Sequence, residues 1–189
     1  FFGEEKRKGY RQAQRPRVPL GIDQTASLLK LMGLKTEVCD VDVEGVERLV
    51  DLLSQRQFEV ISVGTGSVLS ETDFSLIYLI KEHAPQSVLI AGGASAASRY
   101  SVLLENTPLL AVIRGFGSIP LAEIAINLSR KESLEDVRGV ILADSAKVIR
   151  FNLRQQPYGS NYLKLDSMAK RPADIPYREK YWPLADATI

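Results

Sequence analysis

Three short stretches of this chain combine glycine with small or hydroxyl residues: Gly64-Thr65-Gly66-Ser67, Gly92-Gly93-Ala94-Ser95 and Arg114-Gly115-Phe116-Gly117-Ser118. Each follows a short apolar run that ends at Val63, Ala91 or Ile113. Glycine removes the Cβ and lets main chain approach a ligand closely, and the amides of such turns can cradle an anion. One loop of this kind is ordinary, since strand-to-helix turns commonly need glycine. Three at the same edge of a sheet describe a broad crevice, poor in side chains and suited to a large planar ligand. Other chemistry is scarce. The single cysteine, Cys39, excludes an internal disulfide, a CxxC zinc site and an iron–sulfur cluster held by this chain alone. It sits in an apolar run and reads as a small buried hydrophobe. The single histidine, His83, lies in KEHAP at a helix end and reads as a solvated group facing the helix dipole. No catalytic residue and no metal ligand is assigned.

The elements that position these loops follow from periodicity. Ile22 to Met32 reads as a helix, with Asp23 near its start and Gly33 as its glycine stop. Thr36 to Asp40 reads as a short strand. Val46, Leu49, Val50 and Leu53 give one apolar face to a helix over 43–55. Phe58 to Val63 is a strand, and Ser70 with Asp73 forms a capping box for a helix over 71–84, closed by Pro85. Ser87 to Ala91 is the next strand, followed by a helix over 96–105 and a strand over 110–113. Pro120 suits the first turn of a further helix whose Leu121, Ile124, Ala125 and Leu128 share a face. Gly139 to Leu142 and Lys147 to Phe151 read as a small hairpin.

Short, continuously apolar strands alternating with helices are what a parallel sheet covered on both faces requires. The fold class is therefore α/β: a doubly wound, Rossmann- or flavodoxin-like, mostly parallel sheet. A first strand is expected ahead of Ile22, with Phe1-Phe2 as its truncated tail. The division is a basic arm over 1–18, the α/β domain over 19–151 and an extended connector over 152–189. The tail's Tyr158, Tyr162, Tyr177, Tyr181 and Trp182 read as anchors onto a neighbouring surface.

Composition bounds the partners. The 189 residues are 45% hydrophobic and 25% charged, as in ordinary globular proteins. With 24 basic and 23 acidic residues the net charge is +1, which argues against a bulk nucleic-acid or membrane-surface binder. The arm carries Lys6, Arg7, Lys8, Arg11, Arg15 and Arg17 and reads as a solvated face. No apolar stretch reaches the roughly 20 residues that span a bilayer. No secretory signal is visible, so the cytoplasm is the expected setting.

The order and spacing of PLGI (Pro19–Ile22), KTEVCDVD (Lys35–Asp42), FEVISVGTGS (Phe58–Ser67), LIKEHAPQSVLIAGGAS (Leu79–Ser95) and VIRGFGSIPLAEI (Val112–Ile124) resemble one family. It is the cobalamin-binding domain of cobalamin-dependent radical S-adenosylmethionine enzymes. The segment from Leu165 to Ile189 resembles the connector that leads from this domain into a radical-generating barrel. Phe116 and Ser118 stand where the family pattern has glutamates.

The resemblance implies a cobalamin-binding domain of an enzyme that is most often a methyltransferase, with cobalamin as methyl carrier. It implies that Gly64, Thr65, Gly66, Ser67, Val68, Leu69 and Ser70 lie under the corrin. Gly92, Gly93, Ala94 and Ser95, with Arg114, Gly115, Phe116, Gly117 and Ser118, would line the nucleotide tail. The helix start near Ile119 and Arg114 would meet the phosphate. The resemblance implies a cofactor bound base-off, and since no DxHxxG motif is present, no protein histidine is expected on cobalt. The 4Fe-4S cluster and S-adenosylmethionine belong to the barrel, which is expected in cis in the parent protein and is absent from this chain. A small-molecule or peptide substrate is expected to bind elsewhere. Two other readings share the sheet: a flavodoxin-like domain for FMN or another nucleotide, and a non-enzymatic receiver-like module. GTGS after Val63, where a receiver carries an aspartate, counts against the latter.

Overall fold

Apolar residues at helical spacing begin the regular structure, and glycine ends its first piece. The computed structural model describes residues 20–144 and 149–152; the basic arm, its expected strand and the connector with its aromatic residues lie outside them. Helix α1 (Leu20–Leu31) buries Ala26, Leu28 and Leu29. It stops at Gly33, whose φ is +83°, while the Leu34 N–H donates to the Leu29 carbonyl at 3.0 Å. These are the marks of a Schellman stop, in which glycine takes the left-handed position without a Cβ penalty.

The expected strand over 36–40 does not form: the segment is irregular and pairs with no strand among the described residues. A strand exists through its ladder partners, and sequence pattern cannot supply them. Cys39 and Val41 pack instead against a buried apolar cluster, with Cys39 half-buried. The helix expected over 43–55 is two pieces, α2 (Val41–Glu44) and α3 (Val46–Gln55), divided by Gly45 at φ +86°.

Strand β1 (Val60–Thr65) leads to α4 (Glu71–His83), then β2 (Val88–Gly93). The helix expected next is again split, into α5 (Ala94–Ser98) and α6 (Tyr100–Asn106). Strand β3 (Ala111–Ile113), α7 (Ser118–Arg130), β4 (Val140–Ala143) and β5 (Ile149–Phe151) complete the described chain. The sheet order is β1-β2-β3-β4-β5. The first three strands are parallel, and β4 and β5 extend the same sheet antiparallel. The hairpin read from the sequence is thus an edge of the main sheet.

Alternation along the strands splits the core into two layers. Val63, Leu89, Ala91, Val112 and Ile141 meet Leu49 and Leu53 of α3, Ile77 and Ile80 of α4, and Leu103 and Leu104 of α6. Ile90, Ala111, Ile113, Val140 and Leu142 face the other way, onto Ile124 of α7 and Leu134 and Val137 of the following loop. Helix α1 packs on α7. Helices therefore cover both faces, and β2, β3 and β4 carry the unbroken apolar runs expected of such strands. Strand β1 ends the described sheet, and its Ser62 and Gly64 are exposed. No helix among the described residues is long and apolar enough to cross a membrane.

Candidate cofactor site

Because β1, β2 and β3 run parallel, their carboxyl ends fall at one edge and bring all three small-residue loops together. Open α/β sheets bind ligands at this edge. Register pairs Thr65 with Gly93, so the first two loops leave the sheet side by side. Gly93 has φ +107°, and a Cβ there would stand 2.1 Å from the Thr65 carbonyl oxygen. Glycine at this position is dictated by the neighbouring main chain.

Thr65, 8% exposed, closes the junction. Its Oγ1 donates to the Gly92 carbonyl at 3.0 Å and accepts from the Ala96 N–H at 2.9 Å. The Ser95 N–H donates to the Gly66 carbonyl at 3.0 Å. Beside these bonds lies a buried hydroxyl of a different kind: Ser95 Oγ has no hydrogen-bond partner among the described residues. A buried polar group left so costs about 1–3 kcal/mol.

The rest of the first loop is open. Gly66, Ser67 and Val68 are exposed, and a Cβ on Gly66 would find nothing within 4 Å. Leu69 and Ser70 are half-buried, and Leu69 packs on the α3–α6 layer. Ser70 is committed to α4: its N–H and Oγ both bond Asp73 Oδ2 at 2.7 Å. In the second loop Gly92 is half-buried, Gly93 and Ala94 are exposed, and a Cβ on Gly92 would come 4.0 Å from Ile113 Cβ.

In the third loop Arg114, Gly115 and Phe116 are exposed, and Gly117 has open space where a Cβ would stand. The Arg114 N–H donates to the Gly139 carbonyl at 2.7 Å. Arg114 also lines a cavity of about 70 Å³ with Gly139, Val140, Ile141, Phe151 and Asn152. Helix α7 begins at Ser118, one residue before the expected Ile119, and no side chain caps it. Pro120 has no N–H and the Leu121 N–H is taken by the Gly117 carbonyl, which leaves the Ser118 and Ile119 amides without an intrahelical acceptor. The Ser118 hydroxyl shares a 3.0 Å hydrogen bond with Thr25 Oγ1, so this side chain ties α7 to α1.

Sequence reasoning missed the neighbours that tertiary packing brings to this edge. Ile22 of α1, 42% exposed, stands over Gly64, where a Cβ would meet its Cδ1 at 2.8 Å. Phe151 lies edge-on to Tyr100, with ring centroids 5.1 Å apart, and shares the Arg114 cavity. None of these carries a motif, and only proximity across the fold reveals them. His83 is exposed at the C-terminal end of α4, and so at the opposite edge of the sheet.

This architecture matches solved structures. One is the radical S-adenosylmethionine methyltransferase TsrM from Kitasatospora setae, with cobalamin and a [4Fe-4S] cluster bound: TM-score 0.65 at 17% identity over 77% of this chain. Another is the cobalamin-dependent S-adenosylmethionine radical enzyme OxsB, with aqua-cobalamin and S-adenosylmethionine bound: TM-score 0.65 at 20% identity over 76% of this chain. The chain shares its fold with part of these enzymes. It spans 28% of the TsrM chain and 20% of the OxsB chain. No family model and no curated protein matches the sequence.

Proposed function

We propose that this chain holds cobalamin for a radical S-adenosylmethionine enzyme, with methyl transfer as the reaction served. The observation that carries the reading is the fold shared with TsrM and OxsB, both solved with cobalamin bound. The chemistry of the edge fits such a ligand. Gly66 and Gly117 leave open space above main chain, and Gly93 and Ala94 add almost no bulk between them.

The residues 64–70 are assigned to the underside of the corrin, with Val68 as the exposed apolar contact. Residues 92–95 and 114–118 are assigned to the nucleotide tail. The uncapped amides of Ser118 and Ile119 and the exposed Arg114 guanidinium are assigned to its phosphate, as helix starts and arginine favour anions. The base-off state is carried over from the family resemblance, and His83, remote from this edge, offers no protein imidazole to the metal. Bound cobalamin supplies a cobalt centre able to accept and release a methyl group. This chain's own part is to bind the cofactor, orient it and shield its lower face. The iron–sulfur cluster and S-adenosylmethionine are assigned to a barrel outside residues 1–189, and the substrate to that barrel.

The test is an absorbance titration of the chain with hydroxocobalamin followed by desalting. Corrin bands that remain with the protein and shift to the base-off form are expected. Complete loss of the bands on desalting overturns the reading.

A further inference from the structure

We infer that Thr25, a residue of α1 that belongs to none of the three loops, positions the start of α7 for the cofactor's phosphate; the inference rests on the cobalamin reading above. The third loop depends on an anchor at its far end. Its first residue is held, because the Arg114 N–H donates to the Gly139 carbonyl at 2.7 Å. Two of the next three residues, Gly115 and Gly117, are glycine, and α7 then begins without a side-chain cap. Glycine leaves main chain free to turn, so the direction of the Ser118 and Ile119 amides depends on what holds Ser118. Thr25 holds it, through the 3.0 Å hydrogen bond between their hydroxyls.

The direction of that bond follows from the protons available. Thr25 Oγ1 also donates to the Gly21 carbonyl at 2.7 Å, one turn back along α1. A hydroxyl has one hydrogen, so Thr25 accepts from Ser118 and the Ser118 hydroxyl is the donor. Ser118, 8% exposed, thereby has no side-chain hydrogen left for an anion, and the donors at the start of α7 are its two main-chain amides. Thr25 is a positioning residue that acts through Ser118. The same turn of α1 also reaches the first loop. Ile22, three residues before Thr25 and so on the same side of the helix, stands over Gly64. Helix α1 thus spans the loops assigned to corrin and phosphate and sets their spacing. A ligand held at two points gains from the second only when that spacing matches its own.

The experiment titrates the 189-residue chain and its variants with three corrinoids: hydroxocobalamin, diaquacobinamide, which lacks phosphate, ribose and base, and cobinamide phosphate, which adds back the phosphate alone. Thermal melts without ligand establish that each variant is folded. Thr25→Val, which keeps the shape and removes the hydroxyl, is expected to weaken hydroxocobalamin and cobinamide phosphate about fivefold and to leave diaquacobinamide within about twofold. Thr25→Ser restores the hydroxyl and is expected to restore both affinities. Ser118→Ala removes the same bond from its other end and is expected to match Thr25→Val, and the double variant is expected to be no weaker than either single one. Equal weakening of all three corrinoids identifies a bond that serves only the fold and overturns the inference. A loss confined to hydroxocobalamin, losses that add in the double variant, or tighter binding by Thr25→Val each overturn it as well. Unchanged affinities overturn it while the cobalamin reading survives. If the unaltered chain binds no corrinoid, that reading falls and the inference with it.

Discussion

Single residues at the carboxyl edge divide into those that shape the loops and those left open above them. Gly93 shapes: any side chain there meets the Thr65 carbonyl and forces a non-glycine residue to φ +107°. Backbone strain of that kind costs about 1–3 kcal/mol before the clash is counted. Gly93→Ala should therefore lower the urea midpoint clearly, and an unchanged midpoint would contradict the close approach described here. Gly66 is the opposite case, with nothing within 4 Å of a Cβ. Gly66→Leu should keep stability within about 0.5 kcal/mol, as exposed substitutions usually do. The same change should abolish hydroxocobalamin retention, because the new side chain fills the space assigned to the corrin. A variant that both folds and retains cobalamin would move the site away from this loop. Thr65 is structural too. Thr65→Val removes the side-chain hydrogen bonds to the Gly92 carbonyl and the Ala96 N–H and should cost about 1–3 kcal/mol.

At the scale of the element, helix starts and stops were readable because their chemistry is local. The Ser70–Asp73 capping box is present at α4, and Gly33 ends α1. Asp73 accepts both the N–H and the hydroxyl of Ser70. Asp73→Ala should cost about 1–2 kcal/mol, the range of a lost helix cap. Its loss should also loosen residues 66–70, which amide exchange would detect as faster exchange confined to that loop and the first turn of α4. The elements that failed did so for non-local reasons. Residues 36–40 have strand character but pair with no strand among the described residues, and Gly45 and Arg99 break two stretches whose apolar spacing is continuous. Strand β1 is one of the apolar runs from which a sheet covered on both faces is expected, yet it ends the described sheet and exposes Ser62.

For the whole molecule, the layering decides which charges and which histidine matter. The ion pairs Arg56–Glu37 and Arg150–Glu135 lie at the surface, with side chains 41–63% exposed. Exposed pairs contribute little, so Arg150→Ala should change unfolding free energy by less than about 1 kcal/mol. His83 ends α4 at the edge opposite the three loops. His83→Ala should leave the absorbance spectrum of retained cobalamin unchanged. A shift in that spectrum would place an imidazole on cobalt and refute the assignment of no protein ligand to the metal.

By itself the sequence determined the alternation of strands and helices, the apolar runs of β2, β3 and β4, the caps of α1 and α4, and the presence of three side-chain-poor loops. All of these depend on residues within one turn or one strand of each other. Tertiary structure alone decided that β4 and β5 continue the sheet antiparallel, since strand direction is set by which edge is free to pair. It also decided which small residues are structural. Gly93 yields to the Thr65 carbonyl, and Ser118 is taken up by Thr25, 93 residues away in sequence. Among the described residues, Ser95 Oγ is left without a partner by the same packing. In the sequence, GGAS and GTGS look interchangeable; in the fold, the approach of two neighbouring backbones makes their serines and glycines do different things.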